Sequence, residues 1–339
     1  MGTKQHILVV GAGFAGATVA RELADNGYSV VVIDSRPHVG GNAYDYVNEH
    51  GILVHKYGTH IFHTNNLKVF VWLSKFTIWN SYKHKVKALL NDDSLVTFPP
   101  TRDMVREHGE QYIIDTFYKP YTEKMWGVSI NEMDSSVINR VPIRLDNNDL
   151  YFPKDLYQFF PSNGYTKLFE NIFNHKNITV KLNTMFDKSM ETDYDHVFNS
   201  MPIDQYYDYC YDELPYRSIK FSTVHLPVPN VYKTPVVNFT HNGKHTRLTE
   251  WKNLTGHGYN EHMTTITYEE PCDYKDNNYE RYYPVKDASG INRNKYKQYA
   301  DIQNDKVTFI GRCGLYVYID MDQAISSSLS IAKKYISLM

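Results

Sequence analysis

The fold is decided by residues 7–16, which read ILVVGAGFAG. The first four are apolar, as in a short buried strand, and the rest form a GxGxxG turn. Helical spacing follows from Phe14 to Asn26, and a second apolar run, Val30–Ile33, ends at the acid Asp34. This order of strand, glycine-rich turn, helix, strand and acid is typical of a Rossmann-like unit. The sequence therefore predicts an α/β fold.

The glycine motif, formed by Gly11, Gly13 and Gly16, predicts a dinucleotide at the start of the first helix. Glycines let the backbone approach a pyrophosphate, and the free amides at a helix N-terminus attract the anion. Asp34 is placed to accept hydrogen bonds from an adenosine ribose. A simple glycine-rich turn is the alternative, but the strand context and the spacing of the acid favour nucleotide binding.

The residues after Asp34 favour FAD over NAD as the dinucleotide. Arg36 and the run Gly40–Asn42 extend the predicted site past the ribose, towards a longer cofactor. A second glycine-containing strand end, Thr308–Arg312, occurs near the C-terminus. Attachment at two distant points of the chain suits a bound flavin better than an exchanging nicotinamide.

Composition and charge exclude several classes of function. The 339 residues are 42% hydrophobic and 22% charged, which predicts a chain folded throughout. A formal net charge of -2 argues against nucleic acid as a partner, because phosphate binding requires a surplus of Lys and Arg. The sequence has no run of about 18 apolar residues and no signal-peptide pattern, so we expect no membrane insertion. Three widely spaced cysteines, Cys210, Cys272 and Cys313, suggest neither disulfides nor zinc and fit the cytoplasm.

Tyrosine is unusually frequent, with 29 residues against 16 Phe and 4 Trp. Its ring is apolar and its hydroxyl can bond phosphate or sugar oxygens, so many of these residues are expected to line a polar cleft. Coding bias is the alternative explanation, and it stays open on the sequence alone.

The remaining chain alternates between pieces of the Rossmann-like unit and inserted segments. Short apolar strands at residues 178–182, 196–199 and 307–310, with a closing helix at 322–338, complete the nucleotide-binding sheet. Helical spacing over 102–140 and alternating patterns over 217–267 predict a helical insertion and an antiparallel sheet. We therefore predict an α/β protein with a substrate cleft between three parts. They are a Rossmann-like FAD-binding domain (residues 1–75, 163–205 and 305–339), an inserted small helical domain (99–150) and an antiparallel β-sheet domain (76–98, 151–162 and 206–304).

Beyond the nucleotide motif, ordered segments resemble those of UDP-galactopyranose mutases. Residues 57–64, YGTHIFHT, are similar to the YGxHxFHT segment of that family, and residues 121–127, YTEKMWG, to its YTxKxWG loop. Residues 139–144, NRVPIR, resemble its mobile loop, which closes on substrate. The matches continue in the same order, over essentially the whole chain, at residues 246–250, 282–284 and 311–322.

The resemblance implies an isomerase that interconverts UDP-galactopyranose and UDP-galactofuranose without net redox change. In the mechanism of that family, N5 of reduced FAD attacks the anomeric carbon and UDP leaves. The sugar then opens and recloses on the other hydroxyl before UDP returns. The resemblance also implies a UDP-sugar as substrate and an unidentified reductant for FAD. UDP-galactose and its N-acetylamino analogue both fit, since a few pocket contacts decide between them.

The resemblance assigns catalysis to Arg140, Arg247, His60 and His63. Both arginines match residues that bind the substrate diphosphate, for which a permanently charged, planar guanidinium is suited. Without this match, each arginine would be interpreted as a surface charge. A neutral histidine beside the flavin can bond it or a substrate hydroxyl and relay a proton. The two histidines could instead share a zinc ion, but no third ligand is spaced near them, so no metal site is predicted.

The remaining site residues follow from the same resemblance. Substrate-binding positions are Phe117, Tyr118, Tyr121, Thr122, Trp126, Tyr151, Asn238, Tyr283, Tyr318 and Asp320. Cofactor-binding positions are Gly11, Gly13, Phe14, Ala15, Gly16, Asp34, Ser35, Gly41, Asn42, His60, Arg312, Asp320 and Met321. Ordinary helix core is the alternative for the aromatic cluster at 117–126, where Tyr118 replaces a phenylalanine of the family.

Two departures from the family affect the interpretation. The segment between Phe98 and Phe117 is much shorter than in typical bacterial members, whose additional helices supply the usual dimer contact. A monomer and a homodimer are therefore both compatible with the sequence. His84 replaces an asparagine commonly found before the VKA segment, residues 86–88. Its place between Lys83 and Lys85 fits a solvated strand edge as well as a role in the active site.

Two other functions stay open on the sequence. A flavin-dependent amine oxidase shares the FAD fold and the glycine motif, but it oxidises its substrate and needs no arginines and tyrosines around a diphosphate. A regulatory protein that binds flavin or a nucleotide sugar would lack turnover, which a sequence does not measure.

Overall fold

The computed structural model describes residues 5–129, 132, 144–254 and 258–338. Its strands, in chain order, are β1 (His6–Val10), β2 (Ser29–Ile33), β3 (Asp45–Val47), β4 (Leu53–His55), β5 (Phe62–Thr64), β6 (Trp79–Ser81), β7 (Val86–Leu89), β8 (Leu95–Phe98), β9 (Tyr157–Pro161), β10 (Ile178–Lys181), β11 (His196–Asn199), β12 (Tyr216–Leu226), β13 (Val236–Phe239), β14 (Arg247–Glu250), β15 (Thr264–Asp273), β16 (Tyr283–Pro284) and β17 (Val307–Phe309). Its α-helices are α1 (Phe14–Asp25), α2 (Leu67–Leu73), α3 (Arg102–His108), α4 (Glu110–Ile113), α5 (Lys119–Trp126), α6 (Gly164–Phe173), α7 (Ile203–Tyr206), α8 (Ile291–Ala300), α9 (Gly311–Gly314) and α10 (Met321–Leu338).

A five-stranded parallel sheet, in the order β10-β2-β1-β11-β17, forms the nucleotide-binding core. Residues 7–10 of the central strand β1 are buried, as expected for a parallel sheet covered on both faces. α1 packs on this sheet and α10 packs beside α1. Three separated stretches of the chain supply the strands, as predicted, because parallel neighbours need long connections into which other domains can be inserted.

A seven-stranded sheet, in the order β16-β12-β15-β14-β13-β7-β8, forms the second domain. Most neighbours are antiparallel, as predicted, but β7 and β13 run parallel. These two strands are distant in sequence, so no tight turn imposes an antiparallel direction. The segments β6 and β9, which the sequence assigned to this sheet, instead pair with β5 in a three-stranded sheet. Burial of Phe62 and Phe160 in the core of the Rossmann-like domain favours that pairing.

The helical insertion runs through α3, α4, a π-helical turn (Ile114–Tyr118) and α5. Its residues Ile113 and Phe117 form one apolar cluster with Val86, Ala88 and Phe98 of the large sheet. The insertion therefore covers one face of that sheet. The predicted helical domain extends to residue 150, and its residues 130–131 and 133–143 lie outside the described part of the chain. In that described part, no helix has both the length and the apolar character needed to cross a membrane.

Lys124 joins the insertion to the large sheet through three backbone carbonyls. Its ammonium group donates to the carbonyl oxygens of Phe239, His241 and His245 at 3.0, 2.8 and 2.9 Å. These residues form the end of β13 and the turn that leads to β14. α5 is therefore fixed to the hairpin that carries Arg247.

Lys124→Met is expected to lower the free energy of unfolding by about 2–4 kcal/mol, because three carbonyl groups lose a charged donor. Urea denaturation followed by tryptophan fluorescence measures the change. Lys244→Met is the matched control on the same turn, since its ammonium group contacts Glu270 but its side chain is 66% exposed. Its loss should cost less than about 1 kcal/mol. Equal stability of the two variants would contradict the anchoring role of Lys124.

Candidate active site

The turn between β1 and α1 is packed too tightly for a side chain. A Cβ atom added to Gly16 would lie 1.9 Å from the carbonyl oxygen of Gly11, which itself has a φ of +102°. A Cβ atom added to Gly41 would lie 3.0 Å from the Cα atom of Gly13. Side chains are therefore excluded at Gly16 and Gly41, as in the tight turn of a dinucleotide-binding motif.

Asp34 and the start of α1 lie next to this turn. Phe14 and Ala15, the first two residues of α1, have buried side chains, so their backbone amides are the groups available to an anion. The carboxylate of Asp34 accepts hydrogen bonds from the amides of Ala12 and Arg36 at 2.8 and 2.9 Å. These bonds hold it at the end of β2, and each oxygen keeps a lone pair for a ribose hydroxyl.

Arg36 binds the second glycine segment to the end of β2. It donates to the side-chain oxygen of Asn42 at 3.0 Å and forms an ion pair with Glu280. Its guanidinium carbon lies 4.5 Å from the centre of the Tyr57 ring, which is a cation–π contact. Ser35, beside it, is exposed. Asn42 is thereby held near the dinucleotide turn.

The C-terminal glycine segment, at the start of α9, packs against the start of α1. Gly311 has a φ of +70°, and a Cβ atom added to it would lie 3.1 Å from the Cβ atom of Ala15. Arg312 donates to the carbonyl oxygens of Tyr282 and Ile319 at 3.1 and 2.7 Å. The two attachment points that the sequence predicted for a flavin are therefore adjacent in space.

His60 presents an unprotonated nitrogen at neutral pH. Its Nδ1 atom lies 2.8 Å from the carbonyl oxygen of Gly58, and because a carbonyl only accepts, Nδ1 carries the proton. Burial, with the charges of Arg312 and Arg247 nearby, lowers the pKa of His60 to about 4. Its Nε2 atom is therefore a hydrogen-bond acceptor at the boundary between the flavin groove and the large sheet.

His63 is held on β5 by Asp155 and Phe152. Its Nδ1 atom lies 2.7 Å from Oδ2 of Asp155, and its ring stacks on Phe152 with a centroid distance of 3.7 Å. In the neutral form of the ring, Nδ1 donates to this carboxylate and Nε2 is the acceptor. A cavity of about 480 Å³ beside His63 is also lined by Asp320, which precedes Met321, the first residue of α10.

The strand register places three polar residues in a row across the large sheet. Arg247 on β14 pairs directly with Asn238 on β13 and with Glu269 on β15. Paired residues of antiparallel strands point to the same face, so these side chains are neighbours. Nε of Arg247 lies 3.2 Å from Glu269, whose side chain is only 2% exposed. An Nη atom of Arg247 donates to the hydroxyl of Tyr121 at 3.2 Å.

Arg247 is a permanent charge in this position. Burial disfavours the charged form, but the Glu269 carboxylate, followed by Tyr121 and Tyr151, raises the pKa of Arg247 above its ordinary value. The backbone amide of Thr59 bonds Glu269 from the other side. The charged arginine is therefore attached both to the segment that carries His60 and to α5.

The predicted tyrosines divide into cleft residues and structural residues. Burial raises the pKa of Tyr121 to about 12, so it offers a neutral hydroxyl. The ring of Tyr318 lies 5.0 Å from the guanidinium of Arg312. The hydroxyl of Tyr283 instead donates to a backbone carbonyl at the end of α5, and Trp126 packs edge-on against the Tyr283 ring at 5.1 Å. The Tyr283 hydroxyl therefore already has a hydrogen-bond partner, and the rings of Tyr283 and Trp126 pack against each other.

The other substrate-binding residues predicted in the cluster at 117–126 differ in exposure. Phe117 is 1% exposed and lies in the apolar cluster beneath the insertion, as the helix-core alternative held. The hydroxyl of Tyr118 is buried and has no partner among the described residues. Thr122 is part-exposed on α5. Phe117 thus belongs to the apolar core beneath the insertion, and Tyr118 packs against the same cluster.

Arg140 lies outside the described residues, so one arginine of the predicted pair is placed. Arg144, at the end of the same motif, is buried and donates to the carbonyl oxygens of Leu150 and Tyr151 at 2.5 and 3.2 Å. These bonds hold the backbone that carries Tyr151 close to the insertion.

His84 lies within the site and not at a solvated strand edge. Its side chain is buried, and its Nδ1 atom lies 3.2 Å from the hydroxyl of Tyr82. Its ring centroid is 5.5 Å from that of Tyr151 and 6.0 Å from that of Phe152. Alternation along the strand contained this signal, since residues 86 and 88 on the same side are also buried.

Sequence reasoning missed three further residues of the site. Lys124 lies inside the quoted YTEKMWG motif, where a lysine amid aromatic residues was a signal for a buried contact. Asp155 and Glu269 had no signal, because their partners are distant in sequence and ordinary charges fill the positions around them. Both became visible only when the strands were paired.

The pH dependence of stability is expected to reveal the buried His84. Burial, with the charge of Arg247 nearby, lowers the pKa of His84 from 6.5 to about 3. Between these values the unfolded chain binds a proton that the folded protein does not bind, so stability is lost as the pH falls through this window. His84→Asn does not titrate there and should show a shallower loss.

Thermal unfolding between about pH 4 and pH 7 measures this slope. His108→Asn, at an exposed site on α3, is the matched control and should keep the slope of the unmodified protein. An unchanged slope in His84→Asn would contradict the assignment.

Comparisons with known proteins agree with this geometry. A family described as UDP-galactopyranose mutase matches residues 116–318, and one described as NAD(P)-binding Rossmann-like domain matches residues 9–76. The dTDP-fucopyranose mutase of Escherichia coli is 34% identical over 97% of this chain and 98% of its own. A probable UDP-galactopyranose mutase of Klebsiella pneumoniae is 33% identical over 98% of this chain and 95% of its own.

Solved structures share the same fold. A crystal structure of reduced UDP-galactopyranose mutase has a TM-score of 0.76 at 15% identity and covers 99% of this chain and 94% of that one. A putative protoporphyrinogen oxidase from Exiguobacterium has a TM-score of 0.67 at 11% identity, with both chains fully covered. The glycine groove fits a dinucleotide with two attachment points, the family match spans more than half of the residues, and the relatives are similar over nearly their full length. The chain therefore belongs to the UDP-galactopyranose mutase family of FAD-dependent isomerases.

Proposed function

We propose that this protein interconverts UDP-galactopyranose and UDP-galactofuranose while it holds reduced FAD. The observation that carries the proposal is the charged Arg247, which lies between Glu269 and Tyr121 close to the His60 segment. A diphosphate leaving group develops negative charge, and a preorganised cation in a partly buried cleft stabilises that charge strongly. Amine oxidation creates no such charge, so this arrangement supports a mutase over an oxidase.

When bound, reduced FAD supplies a nucleophile for the anomeric carbon and takes no net electrons from the substrate. The amides of Phe14 and Ala15 would hold its pyrophosphate, and Asp34 would accept from its ribose. At the flavin end, Arg312 and the unprotonated Nε2 of His60 would orient the ring. The absence of Cβ atoms along the glycine groove supports this placement.

The substrate diphosphate would be bound mainly by arginine. Arg247 would donate charge-assisted hydrogen bonds to the phosphate oxygens, and Arg140 would add a second guanidinium. The hydroxyls of Tyr121 and Tyr318 would contribute about 0.5–1.5 kcal/mol each, and the amide of Asn238 a similar amount. Loss of a tyrosine should therefore affect turnover less than loss of an arginine.

Ring opening requires a proton to move at a sugar oxygen, and His60 and His63 are the candidates for this transfer. Both His60 and His63 carry the proton on Nδ1, which leaves Nε2 free to accept. Asp155 orients His63 in the way that a carboxylate orients a catalytic histidine. We propose that one of these Nε2 atoms accepts the hydroxyl proton and returns it when the ring closes.

The proposal requires partners besides the sugar nucleotide. A reductant must bring FAD to its reduced form, and the reaction would take place in the cytoplasm. A monomer and a homodimer are both compatible with the proposal.

A second candidate substrate is dTDP-fucopyranose, because the Escherichia coli relative is named a dTDP-fucopyranose mutase. Both compounds carry a nucleoside diphosphate on the anomeric carbon, so Arg247 would serve either leaving group. They differ in the base, in the 2′-hydroxyl of the ribose and in the 6-hydroxyl of the sugar. Discrimination must therefore come from contacts beyond the diphosphate.

Conversion assays test the reaction and separate the two substrates. The purified flavoprotein is incubated with UDP-galactofuranose, with and without dithionite, and the sugar nucleotides are separated by chromatography. We expect the pyranose to form only with reduced FAD. The same assay with dTDP-fucofuranose shows which substrate has the higher kcat/KM. Oxygen consumption with an amine, without conversion of either sugar nucleotide, would refute the proposal.

Arg247→Ala is expected to lower turnover by about 10²- to 10³-fold, as loss of one preorganised donor does in other enzymes. Arg247→Lys keeps the charge that balances Glu269 and should lose less, so it separates leaving-group stabilisation from misfolding. Flavin absorbance should stay unchanged in both. Arg293→Ala, at an exposed position on α8, is the control. Turnover equal to the control in both Arg247 variants would contradict the role.

A further inference from the structure

Three side chains of the kinds that bind metals meet outside the active site. Glu49 and His50 lie in the turn between β3 and β4, and His225 lies near the end of β12. Oε1 of Glu49 is 3.5 Å from Nε2 of His225 and 3.7 Å from Nε2 of His50. Among the described residues, this is the group of three His, Cys, Asp or Glu side chains whose ligand atoms all lie within 4.8 Å of one another.

The spacing of these atoms suits a tetrahedral ion. Ligand atoms about 2.1 Å from a tetrahedral zinc ion lie about 3.4 Å from one another. The two separations measured from Glu49 differ from this value by only a few tenths of an ångström. His50 and His225 are part-exposed and Glu49 is exposed, so water can reach a fourth coordination position.

Hydrogen bonds behind the histidines hold them in place. Nδ1 of His225 lies 3.0 Å from the hydroxyl of Thr265, while its Nε2 atom is directed towards Glu49. Asn48 donates to the same hydroxyl at 2.8 Å, and its side-chain oxygen accepts from the amide of His50 at 3.0 Å. Outer bonds of this kind fix ring orientation and tautomer in metal sites.

We propose that Glu49, His50 and His225 bind a divalent transition metal of the zinc class, with water as the fourth ligand. Two imidazoles and one carboxylate favour zinc over magnesium or calcium, which prefer oxygen ligands throughout. The ion connects the β3–β4 hairpin, from which the chain runs directly into Tyr57–His60, to the large sheet. Its role is structural, and it takes no part in the isomerisation.

Zinc binding by the full-length, flavin-loaded protein tests the proposal. After treatment with a chelator, we expect the protein to take up one zinc ion per chain, measured by metal analysis and by competition with a chromophoric chelator. Zinc should also raise the thermal unfolding temperature, because it binds the folded form. His225→Gln and His50→Gln should each weaken zinc binding by more than about 100-fold, and Thr265→Val by about 10- to 100-fold.

His108→Gln is the matched control. Glu107 and His108 form a similar exposed pair, 3.9 Å apart, with no third ligand among the described residues. The control and the ligand variants should all keep the flavin spectrum and their turnover, which separates this proposal from that for the active site. Failure of the unmodified protein to bind stoichiometric zinc would overturn it. Equal zinc affinity in the unmodified protein and in the two ligand variants would do the same.

Discussion

The buried ion pair between Arg247 and Glu269 is the interaction on which the site depends. A carboxylate that is only 2% exposed is costly unless a cation and hydrogen bonds compensate for its lost hydration. Arg247 supplies the cation, and the backbone amide of Thr59 supplies a hydrogen bond. Thr59 belongs to residues 57–64, the segment that carries His60. The hydroxyl of Tyr121, on α5, accepts a hydrogen bond from Arg247. One pair of charges therefore joins all three parts of the molecule at the point where a diphosphate would bind.

The helical insertion is positioned over this pair by two further cations. Lys124 of α5 bonds the carbonyls of the β13–β14 turn, while Arg217 of β12 bonds the carbonyl oxygens of Lys124 and Met125. The end of a helix carries a partial negative charge, which favours a cation there. The insertion is thus held by polar contacts at its end and by the Phe117 cluster beneath it. These contacts hold α5, which carries Tyr121, next to Arg247.

Much of the fold and part of the site could be predicted from local patterns. β11 was predicted at its observed bounds, and β10, β17 and α10 within one residue at an end, because each is a short run with a clear apolar pattern. The assignment of β6 and β9 to the large sheet was wrong, since a short strand carries no information about its partner. The burial of His84 could have been predicted from its alternation with residues 86 and 88. The lysines on either side of His84 suggested exposure instead. The cluster of Glu49, His50 and His225 was not predicted, because His225 is far from the other two residues in sequence.

The sequence by itself determined the fold class, the dinucleotide motif and, through an ordered series of segments, the family. These features depend on residues close together in the chain, where the geometry of strands, turns and helices relates spacing directly to chemistry. Only the tertiary structure decided which polar and charged side chains meet: Arg247 with Glu269, His63 with Asp155, and Glu49 and His50 with His225. The physical reason is that compensation of a buried charge depends on distance in space, and these partners come from strands and turns that are far apart in sequence.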